Sequence, residues 1–190
     1  MRCGQLALIA SVCGGLAGAG LANAPAPSPA PAMLPTPYTA EQIREAWQPG
    51  FSVEMRTAEA GAETRSRMTV LSATPEAGVV RSESFAANGK ASDPPNEFTA
   101  SWSELRDHAL FEAAKAKRER AECRSQLGAM PGWRYSVAQP NGETLTMCFA
   151  DATPGPPVEY ETIRDGAVLS RTEHVNYRRP ASGTGAQEKP

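Results

Sequence analysis

Few residues in this 190-residue chain have the type and spacing to do chemistry. Glu159 and Glu161 are alternate residues of the stretch VEYETI, so a strand would put both carboxylates on one side, in the manner of an acid–base pair. On an exposed sheet face, however, two such carboxylates are ordinary surface charge. The chain has two histidines, His108 and His174, and neither lies in a recognisable nucleophile–base arrangement. No G-x-S-x-G elbow, H-E-x-x-H pair, Gly-rich phosphate loop or C-x-x-C motif occurs. The expectation is a non-enzyme, with no catalytic residue and no cofactor. His108 is expected as a partly buried histidine resting on the sheet.

The cysteines point to a compartment rather than to a reaction. Residues 1–24 begin with Arg2, continue through an apolar run from Leu6 to Val12, and end in Ala22-Asn23-Ala24. That is the layout of a signal peptide cleaved after Ala24, and the run is short for a membrane span. Val12 before Cys13 makes a poor lipoprotein signal, so plain secretion to the periplasm or beyond is expected, with no integral membrane span in the mature chain. Cleavage leaves Cys123 and Cys148, for which an oxidising compartment makes a disulfide the default. Two cysteines without a histidine at ligand spacing do not make a zinc site, so no metal is expected.

A third candidate chemistry is apolar binding. Met55, Met68, Trp133, Tyr135, Met147 and Phe149 fall on what reads as one inward face, and methionine side chains adapt to varied apolar ligands. The same six residues would equally make an ordinary core. Charge excludes another class: 19 Lys+Arg against 21 Asp+Glu give a net −2, with the signs interspersed. The run KAKRER, from Lys115 to Arg120, is interrupted by Ala and Glu and reads as a solvated element, so no nucleic-acid partner is expected.

The elements that would position these residues are legible in outline. PAPSPAPAMLPTP reads as a polyproline spacer over residues 25–37, followed by a single domain over 38–179 and a disordered tail over 180–190. Thr39 and Gln42 form a capping box for a first helix with Ile43, Ala46 and Trp47 on one face, and Pro49-Gly50 ends it. Strands then follow: Phe51, Val53 and Met55 alternate with polar residues, a second runs through Met68 and Val70, and a third from Val79 to Phe85. KASDPPNEFTA reads as a loop leading to a second helix, SWSELRDHALFEAA, capped by Ser101 and Glu104 and striped by Trp102, Leu105 and Ala109.

Pro140-Asn141-Gly142 suits a three-residue hairpin with a left-handed glycine. That loop would oppose Val137 with Leu145, Tyr135 with Met147, and Trp133 with Phe149, gathering every large apolar residue on one face; a one-residue slip would scatter them. It also sets Cys148 against Arg134. If the Cys123 strand lies beyond the Trp133 strand, the cysteines are two strands apart, roughly 9–10 Å at the usual strand spacing. A disulfide needs less than about 7 Å between Cα atoms. Either a bulge or strong curvature closes the gap, or the strand order differs, or the thiols are free. After Pro154-Gly155-Pro156-Pro157, Val158 and Tyr160 alternate with glutamates, and Asp165-Gly166 turns into a last strand from Val168 to Tyr177.

The sum is an α+β fold: a curled antiparallel sheet, a half-barrel of about seven to eight strands in consecutive hairpins, with two short helices on it. The order of PGWRYSV, TMCFADATPGPPVEYE and RDGAVLSRTEHV resembles that of uncharacterised bacterial exported proteins, and the half-barrel is similar to that of periplasmic lipoprotein carriers of the LolA/LolB group. The chain departs from LolB-like lipoproteins in lacking their acylation signal. The resemblance implies a role in carrying or sensing a lipid or lipoprotein, or in binding an envelope protein. The alternative is a structural or interaction protein of the cell envelope whose core is filled and which takes no small ligand.

Overall fold

The computed structural model describes residues 30–180. The signal peptide, the first residues of the spacer and all but Pro180 of the tail lie outside the described residues. Nine antiparallel strands form one open sheet, in the order β4-β3-β2-β1-β9-β8-β7-β6-β5. They are β1 (Ser52–Glu59), β2 (Ala62–Ala73), β3 (Ala77–Ala86), β4 (Asn96–Ser101), β5 (Ala116–Ser125), β6 (Gly128–Ala138), β7 (Thr144–Ala150), β8 (Glu159–Arg164) and β9 (Ala167–Arg178). Two helices, α1 (Ala40–Ala46) and α2 (Trp102–Asp107), accompany the sheet.

Two features differ from the sequence expectation. The sheet has nine strands, because Asn96–Ser101, which takes the end of the segment read as a loop and the helix-capping Ser101, pairs with β3 as an edge strand. Nor is the sheet one run of hairpins. β1 to β4 form one run and β5 to β9 another, and the two are joined where β1 pairs with β9. The connection through α2 therefore passes from one edge strand of the sheet to the other.

Alternation assigns the two faces. Val53, Met55, Met68, Val80, Tyr135, Met147 and Phe149 belong to the main core or lie against it. The alternate residues build a charged lattice on the back: Arg67 bonds Glu54, Arg81 bonds Glu97 at 2.7 Å, Arg56 bonds Glu173, and Arg171 reaches Glu159 at 2.7 Å and Glu161 at 3.3 Å. Thus Glu159 and Glu161, both partly buried instead of standing on an exposed face, are held by one arginine. Turn chemistry fixes the registers. Asp165 and Gly166 both adopt positive φ, as a two-residue primed turn demands.

Both helices carry the reciprocal caps written in the sequence, Thr39 with Gln42 and Ser101 with Glu104. The Ser101 backbone and hydroxyl bonds hold the Glu104 carboxyl below its ordinary range. α2 is shorter than its apolar stripe suggested, ending at Asp107. His108, its C-cap, is exposed instead of resting partly buried on the sheet. The end of the Pro/Ala-rich spacer is tied to the domain: Leu34 N–H donates to Phe111 O at 2.8 Å and Ala113 N–H to Ala32 O at 2.8 Å.

The β6–β7 hairpin has the expected register, with Trp133 opposite Phe149, Tyr135 opposite Met147, Val137 opposite Leu145 and Arg134 opposite Cys148. Cys123 lies on β5, across β6, opposite Met130. The two cysteines are nevertheless bonded, with Cα atoms 5.4 Å apart. Strong curvature closes the gap, and Gly132 permits it. A Cβ there would stand 2.2 Å from Phe149 O and 2.8 Å from Cys123 Sγ, so only a hydrogen fits between the converging strands. The bond lies in a small second core with Ala150 and Val158, both cysteines being buried.

Candidate functional site

The two helices and the spacer's end meet over the apolar face of the sheet, and between them lies a cavity of about 310 Å³. α1 contributes Ile43 and Trp47, and α2 with the turn after it contributes Leu105, Arg106, His108 and Ala109. The sheet side is Met68, Phe98, Met147 and Phe149; Pro37, Tyr38 and the Gly155–Pro157 loop complete the lining.

Each wall has an anchor. Trp47 stacks on Phe51 at 5.0 Å and donates from Nε1 to Pro154 O at 3.0 Å, binding α1 to the loop. A Cβ on Gly155 would stand 2.6 Å from that Nε1, so the loop approaches the indole as closely as glycine allows. Trp102 fixes α2 in the same way, donating to Thr74 O at 3.1 Å and packing its six-membered ring so close to Gly78 that a Cβ there would stand 2.7 Å from it. Tyr38 donates its hydroxyl to Ala150 O at 2.6 Å; burial, assisted by Tyr177 and Asp151, raises its pKa well above the phenol range and keeps it a donor. The polar groups of the lining are thus mostly committed, and what faces the cavity is hydrocarbon, aromatic ring and thioether. Arg106 is paired with Asp107 at 2.7 Å.

Of the six residues proposed from sequence, Met68, Met147 and Phe149 lie in the lining. Met55, Trp133 and Tyr135 do not. Tyr135 is fully buried between Phe111 and Phe149, with its hydroxyl donated to Pro35 O. Trp133 is half-buried beneath an arginine, and Met55 stands opposite His174 on β9. Sequence reasoning missed the helix side. Ile43, Trp47, Leu105 and Ala109 were visible as apolar stripes, but a stripe does not say that it stops short of the sheet. Phe98 was hidden in the segment read as a loop.

Of the two histidines, only His108 lines the cavity. His174 is sealed inside the domain, with neither ring nitrogen hydrogen-bonded, and burial pushes its pKa down to about 4. Among the described residues no group of three His, Cys, Asp or Glu side chains is placed to hold a metal ion. Nor is any described helix long and apolar enough to cross a membrane.

The sequence matches no protein-family model and no curated protein. Solved structures do align with it. The complex of MucA and MucB from Pseudomonas aeruginosa aligns with 15% identity over 75% of this chain and 56% of the other, at a TM-score of 0.49. A crystal structure of MucB aligns with 13% identity over 79% of this chain and 60% of the other, at 0.47. A hypothetical protein from Chlamydia trachomatis gives 8% identity over 80% of this chain and 99% of the other, at 0.43. The chain spans less than two thirds of the MucB chains that it matches.

Proposed function

We propose that this chain is an exported, non-catalytic binding protein that takes an apolar ligand, a lipid or the acyl chain of a lipoprotein, into the cavity between its helices and sheet. One observation carries the reading: a space of about 310 Å³ in a domain of this size, walled by Trp47, Leu105, Met68, Met147 and Phe149. The space is a partly open cleft, not a sealed void. A cleft of this volume, lined by aromatic and aliphatic groups, is what small-molecule sites show. Two of the walls are short helices, elements able to shift without breaking the sheet. Cleavage after Ala24 and release into the periplasm belong to this proposal.

A second reading keeps the chain in the cell envelope as a structural or interaction protein that binds an envelope protein and no small ligand. It is favoured by the cavity's size, near the lower bound for ligand sites, and by how completely Phe51, Val53 and Tyr135 fill the rest of the core.

Native mass spectrometry of the protein purified gently from its host separates the two. The binding reading expects a lipid-sized adduct that leaves on denaturation. It also expects Ala109→Phe, which fills the cavity from the α2 side, to abolish the adduct while leaving the thermal transition cooperative. A clean mass for the native chain overturns it in favour of the second reading.

A further inference from the structure

The basic run of β5 has a use that its solvated reading leaves out. Arg118 stands opposite Tyr135 and Arg120 opposite Trp133. The Arg118 guanidinium lies 3.4 Å from the centre of the Trp133 ring and 5.8 Å from that of Tyr135, while Arg120 lies 4.8 Å from the Trp133 ring. The two cations are not equivalent. Arg120 is occupied, donating to both carboxylate oxygens of Asp151 at 3.1 and 2.9 Å. Glu122, further along the strand, is taken by Arg124 at 2.7 Å. Arg118 has no acidic partner among the described residues, and its Nε is sealed from solvent without a hydrogen bond. The neighbour that its fork does meet is the neutral Tyr135 hydroxyl, which leaves the charge itself unmatched.

A guanidinium laid flat on an indole keeps its N–H groups in the plane of the stack, pointing away from the ring. The ring face repays only part of the cost of holding a half-buried cation. Stacking also fixes the rotamer, so little entropy remains to be lost when the fork engages a partner. The partner that matches two parallel N–H groups is an oxyanion with two oxygens side by side, a phosphate or a carboxylate.

We propose that Arg118, held on Trp133, is an oxyanion-binding site that takes phosphate-type groups, whether free in solution or displayed as a lipid headgroup. The site is separate from the cavity and does not depend on it being filled.

Trp133 supplies the readout. Trp47 and Trp102 are each only 3% exposed, whereas Trp133 is half-buried and in contact with the arginine. The purified chain is titrated with inorganic phosphate against sodium chloride of equal ionic strength. It is titrated separately with vesicles of phosphatidylglycerol in phosphatidylcholine, against phosphatidylcholine alone. A saturable change in tryptophan emission is expected, absent in Trp133→Phe, with half-saturation weakened at least about tenfold in Arg118→Gln, as loss of a charge-assisted bond requires. Arg118→Lys keeps the charge and the fold but loses the fork, so it falls between the two. Saturation with phosphate itself assigns a soluble anion, and saturation with the anionic vesicles alone assigns a headgroup. No saturable response in either titration, or an equal response in wild type and Arg118→Lys and Arg118→Gln, overturns the proposal.

Discussion

An imidazole sealed from water with both nitrogens unbonded makes acid the weak point of this domain. His174 has 0% exposure, and its pKa falls from 6.5 to about 4 because burial disfavours the cation. Above pH 6.5 the folded and unfolded forms are both neutral and the residue has no pH effect. As pH drops from 6.5 toward 4 the unfolded chain takes up the proton and the folded one does not, so stability declines across that window. The full penalty, about 3 kcal/mol, is reached only below pH 4. His174→Leu removes the titrating group and should flatten the difference in urea midpoint between pH 7 and pH 4.5 relative to wild type. Equal pH slopes in the two proteins would contradict this. None of it was legible beforehand: HVNY names a histidine in a strand, but its depth depends on which strands flank β9, and one of these is β1, more than a hundred residues earlier.

Elements were most legible where their cause is local. The loop Pro140-Asn141-Gly142 determines its own hairpin, because Gln139 and Glu143 close on it and Gly142 takes a φ of +81°, so every pair up to Trp133 and Phe149 follows. The capping boxes are likewise written within four residues each. β4 was not legible, since Asn96-Glu97-Phe98-Thr99 has little strand pattern of its own and becomes a strand only by pairing with β3. The length of α2 was overread: its stripe continues into the turn, but there the bonds tighten to three-residue spacing, Ala109 N–H to Arg106 O and Leu110 N–H to Asp107 O, and the α-helix ends. A six-residue helix cannot sustain itself, which makes its cap a large share of its stability. Ser101→Ala should cost about 1 kcal/mol in chemical denaturation. The same change should loosen amide protection over Ser103–Ala109, where a merely decorative serine would leave it intact.

For the whole molecule, the decisive pairings are those no window of sequence contains. The disulfide was a problem from sequence because a flat meander keeps Cys123 and Cys148 apart; the curvature at Gly132 removes the problem, and only the folded sheet reveals it. The bond spans 25 residues. Loop-closure entropy then gives about 3.5 kcal/mol as the loss expected for the Cys123→Ser, Cys148→Ser double variant. Equilibrium unfolding with and without reductant checks it: the variant should be indifferent to reductant, and the wild type should resist it until unfolding, because both sulfurs are buried. An unchanged midpoint in the variant would mean that the second core holds the curvature without the bond. The β1–β9 seam has a different consequence, one of timing. Arg56 with Glu173 and Thr57 with Thr172 link residues 117 and 115 positions apart, at the centre of the sheet. A chain emerging amino terminus first, through an export channel or from the ribosome, can form the β1–β4 hairpins early. It must then hold the open edge of β1 without a neighbour until almost the last structured residue has appeared. Non-local closure of this kind is slow, and a bare strand edge is a template for the wrong partner. Within β1 and β2, Arg67 with Glu54 and Arg56 with Glu63 can pair throughout that interval, and charged side chains on an unpaired strand discourage pairing with a stranger before β9 arrives.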